Sequence, residues 1–83
     1  MLQDPQAIRY YQNLSDALVD SWHRGYRFDN LRLYIDGYLA CLRETKVLEP
    51  FLVHRIEEEA IRFLRDPSNF EDYALPEPET RYY

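Results

Sequence analysis

The chain has one cysteine, two glycines and no long apolar run among its 83 residues. A single thiol, Cys41, excludes an intramolecular disulfide and a four-thiolate zinc site, and its apolar neighbours predict a small buried hydrophobe. Such sparse cysteine fits a reducing compartment. Glycine is confined to Gly25 and Gly37, so there is no glycine-rich loop to cradle a phosphate and no nucleotide fingerprint. No segment nears the roughly 18–20 apolar residues of a membrane span. The first residues lack the basic-then-apolar layout of a secretory signal, and the cytoplasm is the expected compartment. No stretch alternates as a half-buried strand would, and no repeat is present.

Basic residues are also short in one region. The formal net charge is −5, and residues 66–83 hold five acids against Arg81 alone. An acidic chain lacks the basic patch that displaces counterions from phosphates, so nucleic acid is not an expected partner.

What the chain has in quantity is aromatic side chains: eight Tyr, four Phe and one Trp. The length allows one domain, which buries only about 60% of the surface its unfolded form exposes. Large rings supply buried area that a short chain otherwise lacks, at roughly 150–250 Å² each. The excess of tyrosine over phenylalanine also suits half-wet surfaces, interfaces among them.

Helical periodicity runs through most of the sequence. Asp4-Pro5 is an N-cap followed by a proline suited to the first helical position. From Pro5 to His23, one face gathers Ala7, Ile8, Tyr11, Leu14, Leu18, Val19 and Trp22, and Gly25 can close the last turn in a left-handed conformation. Asp29 is the expected cap of a second helix to about Glu44, with Phe28 stapled onto Leu33. That helix is apolar around a wide arc, Leu31, Tyr34, Ile35, Tyr38, Leu39, Cys41 and Leu42, which predicts cover from two sides and a place in the middle of the domain. Thr45–Glu49 is a short link. Glu49-Pro50 opens a third helix whose buried face is Leu52, Val53, Ile56, Ala60, Phe63 and Leu64. Arg55–Glu59 and Glu58–Arg62 are i,i+4 pairs on its wet face. Asp66-Pro67 ends it, since the residue before proline is pushed out of the α region. Ser68-Asn69-Phe70-Glu71 carries a capping-box pattern for one further turn that brings Phe70 or Tyr73 onto the bundle. The expected fold is therefore all-α: a compact three-helix bundle, helices near 5–23, 29–44 and 50–65. Residues 1–73 form the domain, with a short C-terminal turn, and 74–83 a flexible, acidic, proline-containing tail.

Candidate chemistry is thin. His54 has Glu57 and Glu58 three and four residues on, neighbours on a helix, but the H-E-x-x-H pattern of zinc peptidases is absent. Asp20-x-x-His23 echoes a di-iron spacing that needs four inward-facing helices and several buried carboxylates. No nucleophile–base pair stands out. The chain therefore reads as non-catalytic, with no cofactor expected. The alternative is a metal- or ligand-binding helical protein built on His54 and its glutamates. Two contact surfaces remain. Leu33, Gly37 and Ala40 share a sector of the second helix without an obvious cover, joined by Tyr10, Ala17 or Ile61 from neighbouring helices; Gly37 suits close approach of another backbone, and such a patch marks a partner or self-association. Tyr82 and Tyr83, after an acidic proline-stiffened spacer, suit a docking motif. The expected partner is another protein or a second copy of this one.

Gly25-Tyr26-Arg27-Phe28, Leu33-Tyr34-Ile35-Asp36-Gly37-Tyr38, His54-Arg55-Ile56-Glu57-Glu58-Glu59 and Asp66-Pro67-Ser68-Asn69-Phe70 together resemble a family of small, soluble cyanobacterial proteins with no assigned function. The resemblance covers residues 25–71. It implies a cyanobacterial cytoplasm and a regulatory or assembly role, and it transfers no site residues.

Overall fold

In a computed structural model, which describes residues 2–70, the carboxylate of Asp4 opens the first helix. Its Oδ1 accepts from the N–H groups of Gln6 (2.9 Å) and Ala7 (3.0 Å), and Pro5 occupies the first helical position. Helix α1 (Pro5–His23) ends in a Schellman motif. Tyr26 N–H donates to the Ser21 carbonyl (3.1 Å) and Gly25 N–H to that of Trp22 (3.0 Å). The motif needs a residue with positive φ, and Gly25 supplies it at +104°.

Helix α2 (Phe28–Thr45) starts earlier than its acidic residue suggests. Asp29 lies inside the first turn, and the cap position is Arg27. Asn30 reaches back instead, its Oδ1 accepting from the Arg27 N–H at 3.2 Å. Arg27 itself lies 4.1 Å over the Trp22 ring and donates to the Tyr26 carbonyl at 2.8 Å. Phe28 lies against the rings of Trp22 and Phe70, at 5.3 and 6.3 Å. Lys46 closes α2 in the left-handed region, φ 55° and ψ 34°.

Helix α3 (Pro50–Arg65) follows Glu49, whose side chain makes no capping bond. Asp66 is extended and ends α3 as its proline demands. The chain then turns into helix again at residues 68–70. Asp66 Oδ1 accepts from the N–H and Oγ of Ser68 (3.1 and 2.7 Å), while Asn69 Nδ2 donates to the Phe63 carbonyl (2.7 Å) and caps the end of α3. Phe70 is thereby carried into the core. Glu71, Tyr73 and the expected tail lie outside the described residues.

The three helices pack together in pairs around one core. Ala7, Leu14 and Leu18 come from α1, Leu31, Ile35, Leu39 and Leu42 from α2, and Val53, Ile56 and Ala60 from α3. Leu48 in the link and Phe70 complete it. The expected central position of α2 needs correction. Its buried residues form one narrow stripe at i, i+4, i+8 and i+11, so α2 is covered on one side only. Cys41 is exposed, not buried, because it lies off that stripe.

Candidate functional site

Successive side chains on a helix are separated by about 100°. Leu33, Gly37, Ala40 and Glu44 consequently fall opposite the Leu31–Ile35–Leu39–Leu42 stripe and face away from the bundle. Leu33 is 68% exposed, and Gly37 and Ala40 are exposed as well. A Cβ added at Gly37 would meet no atom within 4 Å. Among the described residues, then, no backbone approaches that glycine closely.

Two tyrosines enlarge the face. Tyr34 is 44% exposed and its ring stacks on that of Tyr38, 6.2 Å between centroids at 21°. Tyr26, in the loop before α2, is 52% exposed. With Ser21, Asn30, Leu31 and Leu33 they line an open groove of about 490 Å³ at the N-terminal end of the face. Exposed apolar area of this kind costs free energy in water and is a common mark of association. The regular spacing of Leu31, Ile35, Leu39 and Leu42 is the signal in the sequence that separates this face from the core; the wider arc that includes Tyr34 overstates what α2 buries.

The other residues of the expected surface are placed differently. Tyr10, half-buried on α1, meets the face only at its edge: Tyr38 Oη donates to the Tyr10 carbonyl at 3.1 Å, tying α1 to α2. Burial raises the Tyr38 pKa above its ordinary value, and the neighbouring Tyr34, Tyr10 and Cys41 push it the same way. Ala17 on α1 and Ile61 on α3 are half-buried, on the helices that α2 meets with its opposite, buried side. Tyr82 and Tyr83 lie outside the described residues.

The His54 cluster forms a charge network on the surface of α3. His54 Nε2 lies 3.4 Å from Glu58 Oε2, and Nδ1 lies 3.9 Å from Glu57 Oε1. The same Glu57 oxygen is 3.4 Å from Arg43 Nη2, a link between α2 and α3. Arg62 pairs with Glu59 at 3.5 Å in place of the expected Glu58. Exposed pairs of this kind contribute little individually. Among the described residues, no three His, Cys, Asp or Glu side chains are grouped to hold a metal ion. Nor is any of their helices long and apolar enough to cross a membrane.

A second apolar exposure lies on α3. Phe51 is 61% exposed, beside a cavity of about 350 Å³ that it lines with Leu2, Gln3, Asp4, Leu52 and Arg55. This rim is mixed in character, whereas on α2 the outermost positions Leu33, Gly37 and Ala40 are uncharged and the exposed Arg32–Asp36 pair (3.2 Å) flanks them on one side.

The chain belongs to a family of unknown function (DUF6761), whose model matches residues 1–83, the whole chain. No curated protein and no solved structure matches it.

Proposed function

We propose that this chain is a small non-catalytic interaction protein, an adaptor or regulator in the cyanobacterial cytoplasm, that docks through the outward face of α2. The observation that carries the reading is the placement of Leu33, Gly37 and Ala40 opposite the buried stripe, with Tyr34 and the groove beside them. A helix needs one apolar stripe to hold its place in a bundle; a second apolar patch on the reverse side adds nothing to the fold. Gly37 strengthens the point. Glycine inside a helix costs about 1 kcal/mol against alanine, and alanine would fit here without a clash. The acidic balance of the chain directs the reading toward protein and away from nucleic acid.

Site-specific photo-crosslinking tests it. A photoreactive phenylalanine replacing Leu33 should give covalent protein adducts in a cyanobacterial lysate, and the same group replacing Glu58 on the charged face of α3 should not. Equal labelling from both positions, or none from position 33, would overturn the reading.

A further inference from the structure

We infer that the cavity between the end of α2 and the start of α3 binds a small amphipathic anion, a carboxylate carried on a short alkyl chain or a single ring. The site is separate from the α2 face and does not depend on its docking role. Its lining is divided in kind. Leu48, Pro50 and Val53 supply apolar surface, and the two remaining lining residues, Arg43 and Lys46, are both cations. Val53 is fully buried and Leu48 nearly so, which makes the bundle core itself the floor of the cavity. Arg43 and Lys46 are exposed, and long basic side chains lay their stems on apolar surface while holding their charge in water. A ligand with an apolar body and one negative charge matches both parts. The volume, about 330 Å³, stands at the lower end of the roughly 300–1,000 Å³ of small-molecule sites, which keeps that body short.

The neighbouring charges leave a cation to spare. Arg43 is partly offset, since its Nη2 lies 3.4 Å from Glu57 Oε1, an oxygen that also lies 3.9 Å from His54 Nδ1. That long contact engages one nitrogen and leaves the rest of the guanidinium fork to donate. The Lys46 ammonium forms no ion pair or hydrogen bond among the described residues. Two further acids are close in sequence. Glu44 falls on the side of α2 opposite its buried stripe, Glu49 precedes Pro50, and neither lines the cavity. Backbone geometry singles out Lys46 as well. It holds φ 55°, a conformation in which glycine closes a helix without strain and lysine does not. Backbone strain of this kind gathers at functional sites, and here it sets an unpaired ammonium beside an apolar cavity.

Titration of the isotope-labelled full chain with octanoate, followed through its amide NMR signals, tests the site. Octanoate should move the signals of Lys46, Leu48 and Val53 saturably. Octanol, which has the chain without the charge, should bind at least about tenfold more weakly, as loss of a charge-assisted hydrogen bond implies. Acetate, with the charge and almost no chain, and octylamine, with the opposite charge, should give no saturable shift. Lys46→Gly relieves the strained backbone and removes the ammonium together. That variant should unfold no earlier in urea than the parent chain and should bind octanoate about tenfold more weakly, while Lys46→Arg should keep the affinity. Absence of a saturable octanoate shift, or equal affinity for octanol, octylamine or acetate, would overturn the inference. So would shifts centred on Leu33 and Tyr34 instead, a Lys46→Gly variant that binds as the parent does, or a Lys46→Arg variant that loses binding.

Discussion

At Lys46 a non-glycine residue holds φ 55°, a conformation in which the Cβ crowds the following carbonyl. That strain costs roughly 1–2 kcal/mol, and glycine avoids it while losing more conformational freedom on folding. Lys46→Gly should therefore stabilise the protein by about 0.5–1 kcal/mol in urea unfolding. Gly25 presents the converse case. Its φ of +104° is strained for any L side chain, so Gly25→Ala should destabilise by about 1 kcal/mol or more even though nothing lies within 4 Å of the added methyl. The tyrosines set an alkaline limit. Burial raises the pKa of Tyr11, helped by Glu59 and opposed by Arg62, and burial likewise raises that of Tyr38. In each case the folded state holds its proton more tightly than the unfolded chain. The associated stability is complete below the ordinary tyrosine pKa of about 10 and is lost as pH rises through the raised folded values. Urea midpoints measured from pH 8 upward should fall in that range, and the fall should be smaller in the Tyr11→Phe, Tyr38→Phe double variant. Tyr38→Phe alone should cost about 0.5–1.5 kcal/mol at neutral pH by removing the bond to the Tyr10 carbonyl.

Among the helices, the legible boundaries are those written in local chemistry. Asp4-Pro5, Gly25 and Asp66-Pro67 each fix backbone geometry within one or two residues, and each ends or begins a helix where the sequence places it. Asp4→Ala should cost about 0.5–2 kcal/mol by freeing the N–H groups of Gln6 and Ala7, a loss that thermal unfolding will register. The start of α2 was not legible in the same way. Asp29 is a good cap by type, but Asn30 reaches the Arg27 N–H one turn back, and Arg27 is held by its seat on Trp22. That seat depends on where α1 ends in space, which no local pattern records. The candidate site shows the same division. Leu33, Gly37 and Ala40 share a sector by periodicity alone, whereas the outward placement of Tyr34 and Cys41 follows from which narrow stripe the other two helices accept. The stripe chosen, Leu31–Ile35–Leu39–Leu42, is the one with the most regular spacing of branched aliphatic residues. The tyrosines beside it bear a polar end that burial would have to satisfy.

At the level of the whole molecule, the bundle is held at one end by an aromatic cluster assembled from all its parts. Trp22 of α1, Phe28 of α2 and Phe63 of α3 converge on Phe70, with ring centroids at 5.0, 6.3 and 5.6 Å. Phe70 comes from the turn after α3 and is only 2% exposed. Three helices of this size bury too little surface for wide margins, and a ring that touches all three closes the bundle at the end where α1 turns into α2. Phe70→Ala removes those contacts at once and should cost about 3–5 kcal/mol, a large share of the roughly 5–15 kcal/mol that stabilises a typical domain. Trp22 is the sole tryptophan and lies against Phe70, so its emission reports the change directly: a shift to longer wavelength in the native state, together with a much lower unfolding midpoint. Phe70→Leu, which keeps apolar volume but loses the ring stacking, should fall between the two. If Phe70→Ala moved the midpoint by no more than a surface substitution does, about 0.5 kcal/mol, the cluster would not be what closes the bundle, and the turn at residues 68–70 would be an appendage.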